Sequence, residues 1–180
     1  MKLSSPESLR ILEQALTREN ETASFYTDCL KKAGHPGTVS ILKDLVNDEK
    51  RHAKIVARLI EEAHKESPAL VMKTPETETA KNRLDRALSG RAMNAVGFSP
   101  KTADIQDTLK KALEIEKESF TLYSRAYEDA QENEVKAVYL YFSKEENKHY
   151  VMIDNLISYL DKIRYREFRT IRSKPFLRYT

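Results

Sequence analysis

Apolar residues recur at alternating steps of four and three along four long stretches of the chain, the spacing that puts them on one face of a helix. The first seam reads Leu12, Leu16, Glu19, Ala23, Tyr26, Leu30, and the second Leu42, Leu45, Glu49, His52, Val56, Leu59. Ser4 to Glu7 reads as a capping box with Pro6 in the first turn, opening a helix to about Ala33, where Gly34-His35-Pro36-Gly37 supplies stop and turn signals. Thr38 is the expected cap of a second helix, reaching about His64. A third begins near Thr102 to Asp104 and runs to about Ala130; Asn133 then caps a fourth that ends near Ile163. Between the second and third, about residues 65–101, stand Pro68, Pro75, Gly90, Gly97 and Pro100, with a short helix expected over about Glu76–Ser89.

The two halves repeat. Adding 97 to the first seam gives Leu109, Leu113, Glu116, Phe120, Tyr123, Tyr127; adding it to the second gives Tyr139, Phe142, Glu146, His149, Ile153, Leu156. The expected fold is therefore all-α, a four-helix bundle of two helical hairpins joined by a long crossover. Its domain would occupy residues 1–163, followed by a C-terminal tail, 164–180.

Composition narrows the class. Charged residues make up 33 % of the 180 and hydrophobic ones 40 %, and no apolar run approaches the ~20 residues of a membrane helix. No apolar stretch follows Lys2, so a secretory signal is not expected and the cytoplasm is. The single Cys29 excludes an intrachain disulfide and any four-cysteine metal site within this chain; it reads as an inert thiol. The net charge of +3 is unevenly spread: Lys162 to Thr180 carries seven basic residues against Glu167, leaving 24 basic and 27 acidic residues in the body. This tail interleaves basic and apolar groups, and is expected to drape its aromatics over its own or a sister subunit. Nucleic acid is not the expected partner, because no groove-reading motif accompanies the charge.

Each apolar seam changes at its middle to carboxylate and imidazole. Residues three apart share a helix face, so Glu49 with His52, and Glu146 with His149, aim at one point. Measured from the His35–Pro36 turn, Glu19 and the Glu49/His52 pair lie within ~2 Å of the same height at 1.5 Å per residue. The offset carries this alignment to Glu116, Glu146 and His149, so all six converge at mid-bundle. Four unpaired buried carboxylates would cost several kcal/mol each or be forced to protonate. Two divalent cations would cancel their charge, and oxygen-rich coordination with two imidazoles suits iron or manganese. One Glu-x-x-His is ordinarily a solvated helix pair; two of them with two further glutamates in register are not.

Tyr26 and Tyr123 lie ~10 Å along the axis from Glu19 and Glu116, leaving open a hydrogen bond to a ligand carboxylate or plain core packing. His35 and His64, at helix ends, are expected at the surface, and Lys50, Arg51, Lys54 and Arg58 form a face expected to be solvated.

Glu19, the run Glu49-Lys50-Arg51-His52, Glu116, and Glu146-Asn147-Lys148-His149 resemble the di-iron carboxylate motif of ferritin-like proteins, particularly the rubrerythrin branch, over about residues 6–160. The resemblance implies a ferritin-like bundle whose two iron ions, replaceable by manganese or zinc, are oxidised from the ferrous state as hydrogen peroxide or dioxygen is reduced. Tyr26 and Tyr123 match the family's tyrosine positions. Two departures matter. One cysteine cannot supply a rubredoxin domain, so electrons must come from a separate donor protein. The extra glutamate that rubrerythrins carry one turn after the third-helix ligand is Ser119 here, which leaves a symmetric set of four glutamates and two histidines, also similar to bacterioferritin ferroxidase centres. A homodimer is the expected assembly. The competing readings are an iron storage or delivery protein and, more remotely, a metal-free interaction module using the basic tail.

Overall fold

Four helices organise the computed structural model, which describes residues 4–65, 83 and 100–172, with the backbone alone for 100–104 and 167–172. They are α1 (Pro6–Lys32), α2 (Pro36–Ala63), α3 (Pro100–Asp129) and α4 (Asn133–Arg172). No strand occurs among the described residues, and none of their helices is long and apolar enough to cross a membrane.

Local chemistry explains the ends. Ser5, one residue later than the expected capping box, caps α1 by accepting the Ser8 N–H at 3.1 Å. Pro6 occupies the first turn, where its missing N–H costs nothing. Glu7 sits in that turn too, and its charge suits the positive end of the helix dipole. At the other end the Ala33 N–H closes on the Cys29 and Leu30 carbonyls, and Lys31 and Lys32 suit the negative end. α2 starts at Pro36 with His35 as its cap; the expected cap Thr38 lies buried inside the first turn instead. α4 continues to Arg172 rather than ending near Ile163, because no glycine or proline interrupts the chain before Pro175. The basic segment therefore begins as helix, and 173–180 lie outside the described residues. So does the short helix expected over about 76–89, apart from Arg83, which is helical.

α1 packs chiefly on α2 and α3 on α4, and the hairpins then meet α1 to α3 and α2 to α4. Contacts across the hairpins fix their directions. Glu49 meets His149 while His52 meets Glu146, and Tyr26 meets Glu116 while Tyr123 meets Glu19. In both pairings one residue number rises as the other falls, so α1 is antiparallel to α3 and α2 to α4. α2 and α3 consequently run the same way.

The core is divided. One apolar cluster includes Leu12, Ala15, Val56, Leu59, Val138, Tyr139 and Phe142. The other includes Leu42, Leu45, Ile105, Leu109, Met152, Ile153 and Leu156. Each fully buried leucine or isoleucine contributes about 1.5–3 kcal/mol, enough together to hold a polar layer between the clusters.

Candidate metal centre

Glu19 from α1, Glu49 and His52 from α2, Glu116 from α3, and Glu146 and His149 from α4 meet in that layer, each at most 2 % exposed. One ligand atom from each of Glu49, His52, Glu146 and His149 lies within 4.8 Å of the others, the spacing of groups that could share an ion. The two rings stack with centroids 5.4 Å apart and planes at 20°, and both turn Nδ1 toward the carboxylates. His52 Nδ1 is 3.3 Å from Glu146, 3.4 Å from Glu19 and 3.8 Å from Glu49. His149 Nδ1 is 2.8 Å from Glu49 and 3.6 Å from Glu116.

Each histidine is thus nearer the glutamate of the opposite pair than the one three residues before it. The contacts between the two Glu-x-x-His pairs are therefore crossed. The cause is geometric: i and i+3 are a turn apart along one helix, and an antiparallel partner brings its own carboxylate level with the imidazole.

The tyrosines resolve the same way. Tyr26 donates its hydroxyl to Glu116 Oε1, and Tyr123 to Glu19 Oε1. Seven residues past its own glutamate, each tyrosine lies two turns away from it but level with the glutamate of the antiparallel helix. Burial first, then the charge of the adjacent glutamate, pushes both phenols well above their ordinary range, so they remain donors.

A further acidic layer lies outside the rings. Asp48 Oδ2 is 3.4 Å from His149 Nε2 and Glu145 Oε2 is 3.9 Å from His52 Nε2. Arg51 bridges the two, at 2.7 Å from Asp48 and 3.3 Å from Glu145, and Arg83 and Lys148 add ion pairs to Asp48 and Glu145 respectively. Arg51 is therefore not simply part of a solvated face, although Lys50, Lys54 and Arg58 are exposed. Sequence reasoning missed Asp48 and Glu145, yet both precede the inner glutamates at the same 97-residue offset.

Electrostatics test whether these residues fit a metal. Burial drives the Glu19 carboxyl up to about 7 against the pull of His52, and burial with repulsion from Glu19 and Glu49 drives Glu146 well above its ordinary range. Burial opposes charge on the imidazoles too, but the surrounding carboxylates outweigh it, raising both histidines. Those histidines in turn hold Glu49 well below the carboxylate range in spite of its burial. Without a cation the cluster therefore compensates its negative charge with protons. Its geometry compensates it poorly: Glu19 Oε2, both Glu49 oxygens, Glu116 Oε2, Glu146 Oε1 and both Nδ1 atoms make no hydrogen bond. Buried polar atoms without partners are costly. Cations facing these atoms would satisfy them together, so the residues fit a metal centre.

Of the remaining candidates, His35 is 2 % exposed, against the expected surface role, with its ring 5.9 Å from that of Tyr159. His64 is exposed as expected. Cys29 is buried, and burial pushes its thiol up to about 11, far from the lowered range of reactive cysteines. Ser119 is buried and brings no carboxylate.

A bundle of two antiparallel hairpins carrying carboxylates and imidazoles at mid-height defines a class of helical proteins with a buried polar centre. The chain matches the ferritin-like domain family over residues 7–159 and belongs to it. No curated protein and no solved structure matches it significantly.

Proposed function

We propose that this protein is a non-haem di-iron oxidoreductase of rubrerythrin type that reduces hydrogen peroxide or dioxygen. The observation that carries the reading is the convergence of six buried side chains, two of them imidazoles turned Nδ1-inward, on partnerless oxygens between two apolar clusters. Glu19, Glu49, His52, Glu116, Glu146 and His149 would hold two iron ions, with manganese or zinc as substitutes. Iron held there supplies one electron per ion as it passes from ferrous to ferric, two in all, enough to convert one peroxide and two protons into two waters.

The protein's own contribution is to bind and insulate. Glu49 faces both histidines, so it is placed to be shared; Glu19 and Glu116 each face one and close the ends. Tyr26 and Tyr123 occupy one oxygen of each outer glutamate and so orient the other inward. Leu12, Leu42, Leu45, Leu109, Phe142 and Ile153, all fully buried, exclude bulk water above and below. With Ser119 in place of a seventh acid, no extra carboxylate is at hand to replace a histidine, so His52 and His149 keep their places in both oxidation states. Electrons come from a separate donor protein, and the chain works as a homodimer in the cytoplasm.

Stopped-flow oxidation of the ferrous-loaded protein tests this reading. Oxidation by a stoichiometric amount of peroxide within seconds, repeated when a reductant is supplied, is the expected result. No oxidation by either peroxide or dioxygen, or growth of a ferric mineral in a large multi-subunit shell, would favour storage or delivery instead.

A further inference from the structure

The outer layer of the centre is less symmetric than its interior. Asp48 and Glu145 repeat at the 97-residue offset, as do the cations three residues after them, Arg51 and Lys148. Asp48 meets a further cation. Arg83, from the segment that joins α2 to α3, donates through Nη1 to Asp48 Oδ2, the same oxygen that faces His149 Nε2. Its side chain is 12 % exposed, and Nη1 lies 4.0 Å from Met152 Sδ in the core.

The consequence is positional. With Oδ1 held by Arg51 and Oδ2 by Arg83, the Asp48 carboxylate has both ends fixed and cannot turn about its Cβ–Cγ bond. The oxygen directed at His149 Nε2 is thereby set, at 3.4 Å. Glu145 has one more methylene, and its nearest oxygen stands 3.9 Å from His52 Nε2, outside hydrogen-bond reach. The His52 ring is instead braced edge-on by Phe142 and Tyr141, with centroids at 5.5 and 6.2 Å. A carboxylate behind a ligating imidazole fixes the ring and raises its basicity, and the carboxylate that Arg83 holds is the one behind His149.

We infer that Arg83 is a positioning residue for the His149 half of the centre, acting through Asp48 Oδ2 and making the two metal positions unequal. The part concerning metal rests on the dinuclear reading above; the hydrogen-bond chain Arg83–Asp48–His149 does not. Two variants of the full chain separate these. Arg83→Met keeps an unbranched stem against Met152 and removes the donors, while Arg83→Lys keeps one ammonium donor.

In the metal-free protein, the side-chain ¹⁵N resonances of His149 are expected to move in Arg83→Met, return part of the way in Arg83→Lys, and leave those of His52 in place. In a cobalt(II) titration, Arg83→Met is expected to weaken one of the two equivalents by about 10-fold or more and leave the other unchanged, the usual size of an outer carboxylate's effect. Unmoved His149 resonances, equal movement of both histidines, or equal weakening of both equivalents would overturn the inference. A wild-type protein that takes up no cobalt would instead overturn the dinuclear reading, and the resonances would still judge Arg83.

Discussion

The two halves of the centre agree inside and differ outside. Around His52 and around His149 stand the same inner groups: a shared glutamate, an outer glutamate from the neighbouring helix, and a tyrosine that fixes it. Behind the rings, one half has an aspartate clamped by two guanidiniums and the other a longer glutamate out of hydrogen-bond range. The inner sameness follows from the requirement that four carboxylates be neutralised in an apolar core. The outer layer is free of that requirement, and there the two hairpins differ.

The largest effects are expected from removing the inner carboxylates one at a time. Glu49→Ala is expected to lose both metals, because Glu49 faces both imidazoles. Glu19→Ala should lose chiefly the ion at His52, and Glu116→Ala the one at His149. Metal content by mass spectrometry under native conditions reads the difference; equal loss from all three would show that the halves are not separable.

A smaller effect concerns the metal-free protein. Glu146→Gln removes a carboxyl whose charged form burial and like charge disfavour. At neutral pH it should raise stability by about 1–3 kcal/mol, roughly 2–4 °C per kcal/mol for a chain of this size. Metal uptake should fall at the same time. Calorimetry with and without metal checks both directions.

The pH response has a matching sign. Glu19 and Glu146 are raised from their unfolded values near 4.5, and His52 and His149 from 6.5. The folded, metal-free state therefore binds more protons than the unfolded one. The histidine contribution is full below pH 6.5 and is lost as pH rises through the higher folded values. The raised glutamates add a penalty as the unfolded carboxyls ionise above 4.5. Asp48 and Glu49, lowered, make their contribution in full above the unfolded carboxylate range and do not oppose the trend there. Stability should thus fall from about pH 5 to 8 without metal, and metal loading should flatten the slope while releasing protons.

Least in size, Tyr26→Phe and Tyr123→Phe should each cost about 1–2 kcal/mol by freeing a buried carboxylate oxygen. Each should also disturb the half opposite its own hairpin, Tyr26 the Glu116 end and Tyr123 the Glu19 end. Thermal melts measure the first effect and the metal content of each variant the second.

The bundle and the six convergent side chains could be read from the sequence because both express one periodicity. A seam that is apolar except at its middle, repeated at one offset, leaves little freedom for where those residues go. The partners of Tyr26 and Tyr123 were not legible, since they depend on α1 running antiparallel to α3, a property of the connection and not of either seam. Asp48 and Glu145 stood beside the seam instead of on it, where charge ordinarily means solvent. Arg83 falls within the short helix expected over about 76–89, but nothing in that stretch directed it to the centre of the bundle. His35 looked exposed because helix ends usually are, but Tyr159 of α4 packs against that turn. Caps shifted by one to three residues because Ser4, Ser5 and Thr38 are all competent cap residues and local geometry chose among Ser5 and the His35–Pro36 step.

The central claim is that the polar layer is a dinuclear metal centre built from both hairpins. Iron content after anaerobic reconstitution with ferrous iron, measured beside the Glu49→Ala, Glu146→Ala double variant, tests it most directly. About two ions per chain in the wild type and none in the variant is the predicted result. Fewer than about one per chain in the wild type, or undiminished iron in the variant, would contradict it.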